Sequence, residues 1–287
     1  MRLLSLQLAL GPADGDPDVA PVAWGGVLHG FVERAVMNHA PALLPLLRPA
    51  GRQALAGFTI VPPPWRDAAP PVATGPDDDG RLTFGLVLFG ALAQRSDALT
   101  EALAAQCARR LHGRPARLIA AETHDAPPHP PAPPVEPPGA IRLHRLVLRS
   151  PLLLASGGAT HDGLRRHGHL PWPPLGSVLE SVAARMRTLA PALADDLGLS
   201  PAPGRWRATP AQWATEPLTP AADPAREVVA PYATRDHRFT APGLIGTLVY
   251  PSHAPALEAA LLYWGQWLGV GQKTTMGFGS YVWQPIE

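Results

Sequence analysis

The chain has 287 residues, of which 46% are apolar and only 16% charged, with 37 prolines and 27 glycines. That much apolar matter builds real cores and excludes wholesale disorder. The length suits two units of about 100–150 residues, and the frequent proline and glycine exclude long coiled coils. The formal net charge of +1 selects no partner, and the single Cys107 excludes an internal disulfide or a thiolate zinc site, which fits a reducing cytoplasm.

Leu4, Leu6, Leu8 and Leu10 alternate with Ser5, Gln7 and Ala9, the pattern of a half-buried strand rather than of a signal peptide. No later run approaches the roughly 20 apolar residues of a membrane-spanning helix. Trp24 to Leu47 carries Val27, Leu28, Phe31, Ala35 and Val36 at helical spacing, with Pro41 and Pro45 as breaks or kinks. Phe58–Val61 and Leu82–Phe89 read as strands. Ser96–Leu111 reads as a helix with Ser96 as its N-cap, and Leu118–Ala121 as a short strand. The order is β-α-β-β-α-β. Residues 125–139 hold a dense proline run from Pro127 to Pro138, a stiff linker dividing a unit at 1–124 from one at 140–287.

The second half repeats the order. Ile141–Leu148 alternates as a strand, and Leu175–Leu193 places Val178, Leu179, Val182, Met186 and Leu189 on one helical stripe. Ser200–Pro224 is proline-rich and irregular. Val228–Phe239 and Leu244–Tyr250 form a strand pair turning at Ala241-Pro242-Gly243, followed by a helix at Ala256–Leu268 and a strand at Ser280–Trp283. The expected fold is α+β, with two tandem ferredoxin-like units, each a four-stranded antiparallel sheet with helices on one face.

Charge is unevenly spread. Within residues 139–190, seven arginines face only Asp162 and Glu180, a basic patch of the kind nucleic acid attracts. Arg145 and Arg149 share strand parity and Arg142 does not, so the three do not make one face. His161, His167 and His169 match no zinc spacing, and a basic loop is the simpler reading. Trp206 and Trp213 either stack on bases or cover the fold.

The densest information lies at Gly269-Val270-Gly271-Gln272-Lys273-Thr274-Thr275-Met276-Gly277-Phe278-Gly279, between a helix and a strand. Glycine allows positive φ and close approach of a backbone to a ligand. Successive amides in such a loop form an anion-binding concavity, and Lys273, Thr274 and Thr275 add a charge and two hydroxyls. A P-loop is excluded, because Gln272 rather than Gly precedes Lys273 and the order is helix, loop, strand.

This segment, with Gly243-Leu244-Ile245-Gly246-Thr247-Leu248 before it, resembles the C-terminal domain of CRISPR precursor-RNA processing endoribonucleases of the RAMP superfamily. Val147-Leu148-Arg149-Ser150-Pro151-Leu152 and Gly25-Gly26-Val27-Leu28-His29-Gly30 extend the resemblance. It implies metal-independent cleavage of CRISPR repeat RNA, with no cofactor. The ribose 2′-hydroxyl attacks the adjacent phosphate and leaves a 2′,3′-cyclic phosphate. Such a reaction needs a base, a cation or amide donors for the crowded phosphate, and an acid for the 5′-oxygen.

The resemblance puts a catalytic histidine near the start of the first helix, where His29 stands as general acid or base. The alternative is a histidine merely facing the seam or solvent. His39 is the second candidate, or a helix-end cap. Arg34 is the fallback catalyst or phosphate guide, and Lys273 the cation on the transition-state phosphate. RNA contacts are expected from Gly269, Gly271, Gln272, Lys273, Thr274, Thr275, Gly277 and Gly279, and from Arg149, Arg165, Arg166 and Arg185. The implied partners are a repeat RNA hairpin and other CRISPR effector subunits, with no membrane. A non-catalytic RAMP subunit that only binds guide RNA, sharing the fold and the glycine loop, is the second reading. A phosphate-binding protein with duplicated ferredoxin-like units is the third reading.

Overall fold

The computed structural model describes residues 1–12, 24–48, 56–63, 65–66, 72–73, 76–77, 79–109, 111, 114–125, 143–154, 172–199, 217–218, 225–233, 238–272 and 274–286. The first half runs β1 (Arg2–Leu10), α1 (Trp24–His39), a 3-10 turn at Pro41–Leu43, α2 (Leu44–Leu47) and β2 (Phe58–Val61). It continues with a short pair, β3 (Trp65–Arg66) and β4 (Val72–Ala73), then β5 (Arg81–Leu88), α3 (Gly90–Ala93), α4 (Ser96–Cys107) and β6 (Ala116–Asp125). The second half runs β7 (Leu143–Leu152), α5 (Leu175–Leu189), α6 (Pro191–Asp196), β8 (Arg226–Ala233), β9 (Arg238–Pro251), α7 (Pro255–Leu268) and β10 (Tyr281–Ile286).

Two four-stranded antiparallel sheets result, ordered β2-β5-β1-β6 and β10-β7-β9-β8. In each, the third long strand of its half slots between the first and second, and the fourth flanks the first. That is the ferredoxin-like arrangement, twice in tandem. The leucine alternation of β1 drives the first core. Leu4, Leu6 and Leu8 lie opposite Leu86, Phe84 and Leu82, and all six are buried under α1 and α4. The opposite face of that sheet is not all solvent. Met1, Leu3, Val61, Val87 and Phe89 pack into the core of the second half, beside Leu152, Leu154, Leu268 and Val270. The two halves are therefore joined by apolar burial as well as by the chain.

Several expectations change in detail. Helix α1 stops at His39, and Pro41 opens a separate turn because its ring and missing N–H cannot continue a helix. Ser96 is not an N-cap. Arg95 holds that position, while Ser96 lies buried inside α4 and its Oγ accepts from Arg2 Nη1 at 3.1 Å. Pro191 likewise ends the expected long helix at Leu189.

The strand pair does not turn at Ala241-Pro242-Gly243. Those residues lie inside β9, and the last pair before the turn is Ala233 with Arg238. The pairing of β9 with β7 reaches only as far as Leu244, so among the described residues the stretch holding Pro242 pairs with β8 alone. A proline fits there without costing a sheet hydrogen bond. The proline-rich segment after Asp125, Arg142, Arg165, Arg166, His161, His167, His169, Trp206, Trp213 and Lys273 lie outside the described residues.

Candidate active site at the seam

The site is built from α1, the end of α2, β2 and the glycine segment after α7. His29 and Glu33 are one helical turn apart on α1, so their side chains share a face. His29 Nε2 lies 3.1 Å from Glu33 Oε1. The break at Pro41 lets the chain fold back, and Arg48, just past α2, reaches the same carboxylate oxygen with its Nε at 2.5 Å. Burial pushes the Glu33 carboxyl up. The hydrogen bonds from His29 and Arg48, with their positive charge, outweigh it and hold that carboxyl down at about 2. Phe58 of β2 lies under the imidazole, nearly parallel, with ring centres 5.8 Å apart.

From the other half, the carbonyl of Thr275 accepts a hydrogen bond from His29 Nδ1 at 3.1 Å, across 246 residues of sequence. A carbonyl and a carboxylate are both acceptors only. The ring therefore makes both bonds when both its nitrogens carry protons, and a neutral ring satisfies one of the two.

The glycine segment reaches this place through a tightly folded path. Gly269, Gly271, Gly277 and Gly279 all have φ between 70° and 81°. A Cβ on Gly271 would lie 2.1 Å from the Leu153 carbonyl oxygen, and one on Gly279 would lie 1.8 Å from that of Val270. These glycines serve close packing of the segment on itself and on the end of β7. Their amides are committed as well. Gly269 donates to Gly265 O, Gly271 to Ser181 Oγ, Gly277 to Thr274 O and Gly279 to Pro151 O, and the Gln272 amide donates to Leu153 O. The open anion cradle expected at these amides is thus closed by protein acceptors. Thr274 is buried, with its methyl carbon 3.0 Å from the place of a Gly269 Cβ. The side chain of Gln272 is exposed and Thr275 is half-buried.

Arg185 requires a correction. It is 8% exposed and contacts protein, not solvent. Its Nε donates to the Leu268 carbonyl at 2.8 Å, and its Nη2 to Thr59 Oγ1 at 3.0 Å. The Thr59 hydroxyl in turn donates to the Leu268 carbonyl at 3.1 Å. Burial lowers the Arg185 pKa to about 10, well within the charged range at neutral pH. The guanidinium caps the negative end of α7 and ties it to β2 of the other half. The resemblance set it among the RNA contacts. What decides otherwise is that α5 turns this face toward the seam.

The remaining candidates separate clearly. Arg34 is exposed, with its guanidinium over Gly30. Arg149 is exposed on the outer side of β7, on the same side as Arg145. His39 is the last residue of α1, ten residues beyond His29 and hence about 15 Å along the helix axis, away from the seam. Glu33, Arg48, Phe58 and Thr59 were not singled out from sequence. Only the His29–Glu33 spacing offered a signal.

Among the described residues no helix is long and apolar enough to cross a membrane. The family model for the CRISPR-associated endoribonuclease Cas6 matches residues 146–281. No curated protein matches the chain by sequence. Three solved structures share its fold over nearly their whole length. A Cas6 product complex is 19% identical, with 99% of each chain covered and a TM-score of 0.58. A RAMP protein binding different RNA substrates is 13% identical, with 99% of this chain and 100% of that one covered and a TM-score of 0.55. A Cas6-related protein from Pyrococcus furiosus is 13% identical, with 98% of each covered and a TM-score of 0.53. The Cas6 family model thus matches residues 146–281, and the chain shares the fold of these three structures over nearly its whole length.

Proposed function

We propose that the chain cuts CRISPR repeat RNA by attack of a ribose 2′-hydroxyl on the neighbouring phosphate, without a metal ion, leaving a 2′,3′-cyclic phosphate and a freed 5′-hydroxyl. The observation that carries this reading is the meeting of His29 with the glycine segment at the seam. An imidazole there sits where two halves of the protein can hold an RNA backbone between them. Imidazole exchanges protons near neutral pH, as both steps of the reaction require.

In this scheme His29 moves a proton to or from the reacting oxygens, and Arg34 steers the phosphate from the exposed side of α1. Lys273 supplies charge to the transition-state phosphate. Gln272 and Thr275 contact the strand from the segment's outer side, and Arg149 contacts the hairpin backbone, as do Arg165 and Arg166. The unit at 1–124 supplies the proton chemistry, while the unit at 140–287 holds the hairpin and retains it as product. A-form stems are read by shape and backbone, which suits a site of scattered arginines. The solved Cas6 product complex, a relative in fold, supports RNA as the ligand.

The test is incubation of a repeat RNA with the protein in excess chelator, followed by mass analysis of the ends. A cyclic phosphate and a roughly 10²–10⁴-fold slower reaction for His29→Ala, with repeat affinity retained, are expected. No cutting by the unaltered protein, with tight repeat binding, would make it a guide-RNA-binding subunit. That second reading is favoured by one observation, that both ring nitrogens of His29 face protein acceptors.

A further inference from the structure

His29 is clasped from two sides, and the two sides differ in kind. The Glu33 carboxylate stands on the same helix one turn away and its side chain is only 14% exposed. Its Oε1 takes Arg48 Nε as well as His29 Nε2. The Thr275 carbonyl belongs to the segment that comes across the seam from the other half. Phe58 lies flat beneath the ring. Rotating the imidazole by half a turn would put carbon atoms against both acceptors and forfeit both hydrogen bonds. The ring therefore has one preferred setting, and the element that fixes it within α1 is Glu33.

An imidazole whose far nitrogen is held by a largely enclosed carboxylate has a defined orientation, and only its other nitrogen is available for chemistry. We infer that Glu33 is the positioning residue of this site: it takes the Nε2–H of His29 and so presents Nδ1 to the seam, where a substrate oxygen replaces the Thr275 carbonyl. Arg48 holds Glu33 in that position and balances its charge. This inference rests on the reading of His29 as the proton-exchanging group, and it assigns which of its two nitrogens does the exchanging. An exposed helical pair would be worth a few tenths of a kcal/mol and no more. Here three donor atoms from two residues converge on one carboxylate oxygen beneath the seam.

The experiment joins two readouts on the full chain. Nitrogen-15 NMR of the imidazoles reports which ring nitrogen of His29 carries hydrogen. Single-turnover cleavage of repeat RNA, with separately measured binding, splits rate from affinity. In the unaltered protein Nε2 should be protonated and hydrogen-bonded. Glu33→Ala should release that signal and slow cleavage by 10–100-fold, with repeat affinity within twofold. Glu33→Gln, which still offers an acceptor oxygen, should recover most of the rate. Glu33→Asp keeps the charge but draws it back by one methylene, and should lie between. It serves if Glu33→Ala melts too early to assay. An unchanged His29 signal in Glu33→Ala or Glu33→Asp overturns the inference, as does a normal rate in a variant where His29→Ala is inactive. If the unaltered protein cuts no repeat RNA, the functional reading fails, and the NMR arm still decides whether Glu33 orients the ring.

Discussion

The two halves place the same connection, from the last helix to the last strand, to different use. In the first half α4 joins β6 through a short link. Leu111 and Arg114 bond to each other there, and Arg114 Nε holds the Gly11 carbonyl at 2.8 Å. That link closes on its own half. In the second half α7 joins β10 through a longer segment with four left-handed glycines, and it ends up against His29 and Pro62 of the other half. The first helices diverge in the same way. Helix α1 brings His29 and Glu33 to the seam, whereas α5 brings Ser181 and Arg185, which hold the glycine segment and its preceding helix. A duplicated fold has thus kept its sheet order while its two copies differ at the seam, one bringing His29 and Glu33 there and the other holding the segment that meets them.

This division is open to attack at three points. The largest effect is expected from Gly279→Ala, whose added carbon meets the Val270 carbonyl at 1.8 Å in a backbone conformation that only glycine adopts easily. A loss of about 3 kcal/mol or more in a thermal or denaturant melt, with repeat binding abolished, is expected. The matching cut in the first half, Arg114→Ala, should cost about 1 kcal/mol and leave repeat binding intact. Equal effects on binding would erase the contrast.

Arg185→Met is next. It replaces a buried guanidinium with an uncharged chain of similar length, leaves the Leu268 carbonyl with the Thr59 hydroxyl as its remaining side-chain donor, and strips the Thr59 oxygen of its own donor. A cost of about 2–3 kcal/mol follows, and cleavage should fall because the seam loosens. Cleavage kept at full rate would show that the seam is held by apolar burial alone.

The third point is the acid behaviour of Glu33. Its folded value of about 2 lies below the ordinary 4.5, so its stabilisation is fully present above about pH 4.5 and is lost as pH falls through 2. The stability difference between the unaltered protein and Glu33→Gln should therefore be on the order of 2 kcal/mol near neutrality and vanish by about pH 2. A difference that stays flat through that window would mean the carboxylate is not held by its partners.

Much of this was legible in the sequence, for reasons tied to particular residues. The leucines of β1 alternate because one face is buried, and Pro41 marks a helix break through its missing N–H, whereas the helix expected to run through Pro191 to Leu193 stops at Leu189. The glycines at 269, 271, 277 and 279 announced left-handed turns. Their purpose was not legible. A glycine that admits a ligand and one that admits another stretch of backbone look alike until the neighbours Leu153 and Val270 are placed. Arg185 failed for the same reason, since a helical position does not show which way its helix is rolled. Pro242 misled because proline signals a turn unless one side of its strand is unpaired. His29 was singled out by the resemblance, but Phe58 and the Thr275 carbonyl that meet it come from distant parts of the sequence and carry no local signature.

Helix α7 is pinned at both ends. Near its start the fully buried Glu258 accepts from Ser252 Oγ at 2.6 Å, from the His253 amide and from His144 Nε2 at 3.1 Å, and the Trp283 indole donates to His144 Nδ1. At its finish Arg185 holds the Leu268 carbonyl. A rod fixed at both tips cannot slide or swivel to suit an incoming strand. Any adjustment at the seam then falls to the residues that follow the helix rather than to the helix itself.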